Sequence, residues 1–431
     1  MVEAPLSSLL AHVVDNRGRT CPTAEIGFPL IATNCVKSDN LYPTFEKVRY
    51  VDNDTYRDWF RGHPAPGDLI FVLKGSPGEV CLTPDPVPFC IAQDMVALRP
   101  DPEMVYPAYL FAALRSGRAK NDILNMHVGT MIPHFKKGDF DRLFIPIPDK
   151  EHQRAIGDAY LTISMKIELN RRMNETLEEM ARALFRDWFV DFGPTRRQME
   201  GATDPATIMG HAFPPEKAAT LAPLFPAKLG DDGLPEGWEM GRLDDWAVSA
   251  TNTVKPDEVQ QDTSYIGLEH MPRRSIALGQ WETAAKVTSN KARFEKGQIL
   301  FGKLRPYFHK VGIAPCDGIC STDIVVADGR QKEFRPFVAT LMSTDEFVAY
   351  TNQSSTGTKM PRTSWKLMRD YEAPKAPTKL VIAFGDFAQP MHDKIVHSLS
   401  ENQTLADMRD LLLPKLMSGE IRLKDEEAVA Q

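Results

Sequence analysis

The chain has 431 residues, too many for one ordinary core, and its 42% hydrophobic and 25% charged content describe a globular protein of two or three domains. A net charge of −7 excludes a surface coated in positive charge but leaves room for a local basic face against nucleic acid. No apolar run is long enough to span a bilayer and the N-terminus lacks a basic-then-apolar signal, so a cytoplasmic location is the expectation.

Residues 1–148 read as one α+β domain of ordinary size. Gly67-Asp68 leads into Leu69-Ile70-Phe71-Val72-Leu73, a buried-strand signal, and Lys74-Gly75-Ser76-Pro77-Gly78 turns the chain. Phe89 to Ala92 and Met95 to Leu98 read as further strands, and Tyr106 to Arg115 as a short amphipathic helix. Gly129-Thr130-Met131-Ile132-Pro133 and a basic loop from His134 to Lys137 follow. The six cysteines, Cys21, Cys35, Cys81, Cys90, Cys316 and Cys320, form no Cys-x-x-Cys pair, so reduced and mostly buried thiols are expected rather than a zinc site.

Residues 149–192 carry the pattern of one long helix. Positions seven apart read Ile156, Ile163, Asn170, Leu177 and Leu184, and a second series reads Tyr160, Ile167, Asn174, Ala181 and Trp188. This is a heptad-like seam with a polar centre, which needs a partner helix. Some 40 residues at 1.5 Å each make a rod of about 60 Å. Prolines then recur through 193–233, which predicts a linker wrapped over the surface.

Residues 234–377 repeat the first domain. Gly297, Lys303, Pro306, Asp323 and Val325 match Gly67, Lys74, Pro77, Asp94 and Val96, while Gly357 to Pro361 matches Gly129 to Pro133. The offset stays at about 228 to 230 residues, a spacing of domains rather than of solenoid repeats. The helix is repeated as well, at 378–423, where Asn402, Leu405, Met408 and Leu412 stand for Asn174, Leu177, Met180 and Leu184. The economical partner of the first rod is therefore the second. Asn174 and Asn402 either lock the register of the pair or face solvent. An acidic tail, 424–431, closes the chain.

At Ala183-Leu184-Phe185-Arg186-Asp187-Trp188-Phe189-Val190-Asp191-Phe192, within the stretch from Leu177, the chain resembles the specificity subunits of type I restriction-modification systems. Gly193-Pro194, Arg196 to Gly201, Leu234-Pro235-Glu236-Gly237-Trp238 and Leu412 to Ile421 extend the likeness, as do both Gly-Thr-x-x-Pro loops and Lys74 to Gly78. Lys303-Leu304-Arg305-Pro306 departs from the Gly-rich turn many members carry there. The resemblance implies an α+β fold of two duplicated target-recognition domains separated by two long antiparallel, coiled-coil-like helices with pseudo-two-fold symmetry. It implies a non-enzymatic chain that recognises a split DNA sequence and docks two methyltransferase subunits, and in many cases restriction subunits. S-adenosylmethionine would serve those methyltransferases for adenine methylation and would not bind this chain.

Each domain of a DNA reader needs polar and basic side chains near base edges and phosphates. The candidates are Arg17, Arg19, Lys74, Ser76, Thr130, His134, Lys136 and Lys137 in the first domain. In the second they are Arg273, Arg274, Lys303, Arg305, Tyr307, Lys310, Thr358, Lys359 and Arg362. Lys74 with Lys303, and Thr130 with Thr358, are the positions that repeat. Phe185, Trp188, Phe189 and Phe192 pack either against the sister helix and linker or against a docked methyltransferase. No catalytic residue or metal ligand is expected: there is no Gly-rich cofactor loop and no Asn-Pro-Pro-aromatic motif, and His134 and His152 lack ligand spacing. The rival readings are a self-sufficient DNA methyltransferase or nuclease, and a scaffold whose rods only join proteins.

Overall fold

The computed structural model describes residues 2–18, 20–45, 47–126, 133–357 and 360–421. They form two compact units, one of residues up to 169 together with the stretch from 404, the other of residues 170–403. The first long helix, Lys150–Phe189, and the second, Thr378–Ser418, each contribute one stretch to either unit. The second ends short of 423 because Gly419 adopts φ +76°, a left-handed turn that favours glycine and stops a helix.

In the first unit nine strands are named in chain order: β1 (Val2–Pro5), β2 (Leu10–Val14), β3 (Phe28–Ile31), β4 (Arg49–Val51), β5 (Leu69–Val72), β6 (Val80–Leu82), β7 (Cys90–Ile91), β8 (Met95–Pro100) and β9 (Phe144–Ile147). One sheet runs β2-β8-β5-β6, all antiparallel, and a second runs β4-β3-β7 with β3 and β7 parallel. β1 pairs with β9, which ties the start of the chain to the strand before the first long helix.

The run Leu69 to Leu73 is apolar throughout because both faces of its sheet are covered. Leu69, Phe71 and Leu73 share a core with Val96, Leu98 and Tyr109, while Ile70 and Val72 pack with Cys81, Met95 and Ala97 on the other side. Alternation along a strand thus divides one apolar segment between two cores.

The second unit repeats this plan. Its strands are β10 (Glu239–Arg242), β11 (Ala247–Ser249), β12 (Asn252–Val254), β13 (Ser264–Ile266), β14 (Glu282–Thr283), β15 (Lys291–Phe294), β16 (Ile299–Gly302), β17 (Val311–Ile313), β18 (Gly318–Cys320), β19 (Ile324–Gly329) and β20 (Glu372–Lys375). The order β11-β19-β16-β17 matches β2-β8-β5-β6, the pair β10-β20 matches β1-β9, and β13 lies parallel to β18 as β3 does to β7. Ile299, Phe301 and Val325 face one core, and Leu300, Ile324 and Val326 the other.

The helices run antiparallel within each unit. In the first, Ile156 and Tyr160 share a core with Leu413 and Leu416, and the Arg409 guanidinium lies 5.5 Å from the Tyr160 ring centroid. In the second, Phe185 meets Phe384 at 5.7 Å and the Asn170 side-chain amide donates to the Asn402 carbonyl oxygen at 2.8 Å and to Glu401 at 2.7 Å. The register pair is therefore Asn170 with Asn402, not Asn174 with Asn402. An antiparallel pair holds the sum of opposed numbers constant, so the register that opposes 170 and 402 opposes Asn174 to Ser398, and both of these are buried.

A glycine in each long helix seats a domain helix directly on its backbone. A Cβ on Gly157 would lie 2.5 Å from the Tyr109 nitrogen, in the helix Pro107–Arg115. One on Gly385 would lie 2.6 Å from the Glu333 carbonyl oxygen, just before the helix Arg335–Met342. Alanine is ordinarily worth about 1 kcal/mol more than glycine inside a helix. Here backbone stands in its way and the sign reverses. Gly157→Ala and Gly385→Ala should each lose about 1–3 kcal/mol from the affected unit, read from the denaturant midpoint. A midpoint raised by either substitution would sink this account.

The segment 193–233 is no loose linker. Gly193–Met199, Pro205–Ile208 and Pro215–Leu221 are short helices, and Ile208, Met209, Ala218, Leu221 and Phe225 enter the core of the second unit. Its prolines Pro194, Pro205 and Pro215 sit in the first turn, where the missing N–H costs nothing and the fixed φ suits a helix.

No cysteine is joined in a disulfide among the described residues and all but Cys316 are buried; burial pushes Cys81, Cys90 and Cys320 up to about 12, so these thiols stay protonated and inert.

Candidate nucleic-acid interface

The same backbone ladder follows the central strand of each domain. Past β5, the Leu73 and Lys74 amides donate to the Asp94 carbonyl at 2.8 and 3.2 Å, the Phe135 amide donates to Leu73 at 2.8 Å and Gly75 donates to Pro133 at 3.0 Å. Past β16, Lys303 donates to Asp323 at 2.9 Å, Thr363 donates to Lys303 at 3.0 Å and Arg305 donates to Pro361 at 2.7 Å. Three separate stretches of each domain are thus fixed at one end of the central strand. The two ladders match Leu73 with Lys303, Lys74 with Leu304 and His134 with Arg362, so Lys74 and Lys303 stand one residue apart and the sequence match of the two lysines is corrected by one position.

In the first domain these groups border an open cleft of about 460 Å³ lined by Arg17, Gly18, Thr20, Lys74, Gln93, Asp94 and His134. Arg17 clasps Asp15 through two hydrogen bonds, 2.8 and 2.7 Å. Those bonds, with Lys137 at 3.7 Å, hold the Asp15 carboxyl at about 2, so Asp15 stays ionised through the neutral range. Ser76 and Lys136 are exposed.

The second domain carries an aromatic and cationic cluster. The Arg273 guanidinium lies 4.2 Å from the Phe308 ring centroid and that of Arg305 lies 6.0 Å from it, while Tyr307, 51% exposed, meets Phe308 edge-on at 4.7 Å. Such a cluster suits a nucleic acid: guanidinium groups engage phosphate and an exposed ring can stack. Arg362 pairs with Asp323 at 2.9 Å and Arg274 with Asp345 at 2.9 Å. Lys310 is turned inward, its ammonium donating to the Leu268 carbonyl, and burial lowers its pKa. Arg19, Thr130, Thr358 and Lys359 lie outside the described residues, as do Gly129, Met131 and Ile132.

Phe185, Trp188, Phe189 and Phe192 are 3, 0, 2 and 7% exposed, which corrects the reading of these rings as a docking face. They are core. Phe185 and Phe189 pack on Phe337 and Phe384, Trp188 on Phe213, Phe225 and Phe387, and Phe192 on Trp238. The second helix and the segment after Gly193 cover the faces that the helical pattern alone leaves open.

Sequence reasoning about basic residues passed over Asp94, Asp323 and Phe308. The two carboxylates stand among the matched positions of the repeat, which is the signal that could have found them. Phe308 has no counterpart in the first domain's turn and only the fold brings it under Arg273. Among the described residues, no group of three or more His, Cys, Asp or Glu side chains is arranged to hold a metal ion, and no helix is long and apolar enough to cross a membrane.

Residues 44–179 match the family described as Type I restriction modification DNA specificity domain. The chain is 24% identical over 403 residues to the Type I restriction enzyme HindI specificity subunit of Haemophilus influenzae, across 82% of this chain and 86% of that one. It is 25% identical over 283 residues to the EcoDI specificity subunit of Escherichia coli, across 64% of this chain and 61% of the relative. A crystal structure of the type I restriction-modification S subunit from M. genitalium aligns over 96% of this chain and 95% of its own, with TM-score 0.51 and 16% identity, a likeness of fold.

Proposed function

We propose that this chain is a specificity subunit of a type I restriction-modification system and reads a bipartite DNA sequence with one half-site for each domain; the family match and the relatives support this reading. The observation that carries this reading is the duplicated ladder, which ties a loop rich in basic residues to the same end of the central strand in both domains, with His134 and Arg362 at matched points. Two like readers in one chain suit a target of two short half-sites with an unread gap between them. Phosphate contacts from Lys136, Arg273 and Arg305 would set the pose, and the cleft side chains would meet base edges.

In this proposal the chain contributes recognition, and catalysis comes from two methyltransferase subunits that carry S-adenosylmethionine; restriction subunits would join the same complex. The paired helices set the length of the unread gap. Methylome sequencing of cells with and without the chain should reveal one bipartite motif that depends on it. A heptad inserted into each long helix keeps the seam in phase and adds about 10 Å, roughly three base pairs at ~3.4 Å each. The expected motif then keeps both half-sites and gains that spacing. An unchanged gap in a folded, active variant would remove the helices as the spacer, and methylation indifferent to the chain would remove the function.

A further inference from the structure

Asp94 is the one acidic side chain among the described residues that line the basic cleft of the first domain. Its backbone sits at φ +67°, a left-handed conformation that costs energy in a residue other than glycine and is tolerated best by Asn and Asp. Its carbonyl is fixed by the amides of Leu73 and Lys74, so the side chain springs from a rigid point. The nearest cation, the Lys74 ammonium, is 3.9 Å from Oδ1, beyond hydrogen-bond length, and the Asp94 side chain is 45% exposed. By contrast, Asp323 at the matched position of the second domain is spent on Arg362 at 2.9 Å. A carboxylate held open in a cleft built for a polyanion weakens every phosphate contact around it. Such a group is useful there if it accepts a hydrogen bond that only some bases can give.

We infer that Asp94 is a specificity-determining residue that accepts a hydrogen bond from an exocyclic amino group in the major groove, cytosine N4 or adenine N6, at one position of the first half-site. The inference rests on the DNA-reading function proposed above. A carboxylate cannot donate, so it rejects the O6 of guanine and the O4 of thymine presented at the same place. Its negative charge lowers affinity for any duplex and raises discrimination between duplexes.

The test uses the full chain in its methyltransferase complex, with Asp94→Asn, Asp94→Gly and Lys74→Ala compared with wild type. Asparagine keeps the shape and tolerates the backbone angle while adding a donor, and glycine suits the angle and removes the side chain. Methylome sequencing should show one position of the first half-site restricted to adenine or cytosine in wild type. In Asp94→Asn that position should also accept guanine or thymine, a loss of preference of about tenfold or more. Asp94→Gly should relax it to all four bases, and the second half-site should not change. Competition with duplex DNA of randomised sequence should show both variants binding it several-fold more tightly than wild type, whereas Lys74→Ala binds it more weakly and relaxes no position. If Asp94 only steadies Lys74, Asp94→Asn will behave as Lys74→Ala does, and the inference is overturned. An unchanged motif, or a change in the second half-site, overturns it equally. A wild-type complex with no bipartite motif would instead overturn the function on which the inference stands.

Discussion

Replacing Trp188 with alanine lowers the stability of the second unit by about 3–5 kcal/mol, seen as a shifted denaturant midpoint. The indole is fully buried and borders Phe189, Phe213, Phe225, Phe384 and Phe387, with centroids 5.2 to 6.3 Å apart. Its N–H has no hydrogen-bond partner, so truncation breaks no polar contact and the whole cost is volume lost from a packed aromatic core. Trp188→Phe should recover most of the loss. A docking residue behaves otherwise: its truncation weakens assembly and leaves the midpoint where it was. That second pattern would return Trp188 to the surface role its sequence context suggests.

Acid destabilises the same unit through His392. This residue of the second long helix is 4% exposed, and burial lowers the pKa of its imidazole from the ordinary value of about 6.5 to about 4. The unfolded chain then binds the proton more readily than the folded one between those two values. Stability from this group is complete above about pH 6.5 and is lost as pH falls toward 4. The full shift corresponds to about 3 kcal/mol, and the part between pH 7 and pH 5 to about 2 kcal/mol. Midpoints of wild type and His392→Leu at those two pH values isolate the effect as a double difference. A variant that loses as much stability as wild type on acidification would show that the imidazole is solvated after all.

The repeat was legible because a duplicated fold must reuse its turns. Gly67, Lys74, Asp94 and Pro146 reappear at a nearly constant offset, and the two sheets repeat in strand order as well as in residue type. That the two long helices pair also followed from the matched seams, while their antiparallel sense came from the family resemblance. The polar register did not, since the offset identifies equivalent residues, and equivalent residues of an antiparallel pair face each other only at its centre. Thus Asn174 and Asn402 correspond while Asn170 and Asn402 touch.

Two other features lay outside the reach of pattern. Prolines at 194, 205 and 215 look like breakers until their place in the first turn of a helix is known. The Phe and Trp face of the first helix looks unpartnered until the segment after it folds back as a cover. At the candidate interface, which cation is free and which is clasped is decided by neighbours distant in sequence. Arg362 finds Asp323, Arg274 finds Asp345, and Lys310 finds a backbone carbonyl.

The second unit is one uninterrupted stretch, 170–403, set inside the first, whose core is closed by Leu413 and Leu416. Synthesis on the ribosome therefore inverts the expected order of completion. The later-made unit has all its residues while the earlier one still lacks the helix that covers Ile156 and Tyr160. At roughly 5–20 residues per second, the nascent first domain waits on the order of 10–50 s with that apolar face bare. Its burden in the cell is thus one of timing, and it falls on the domain that leaves the exit tunnel first.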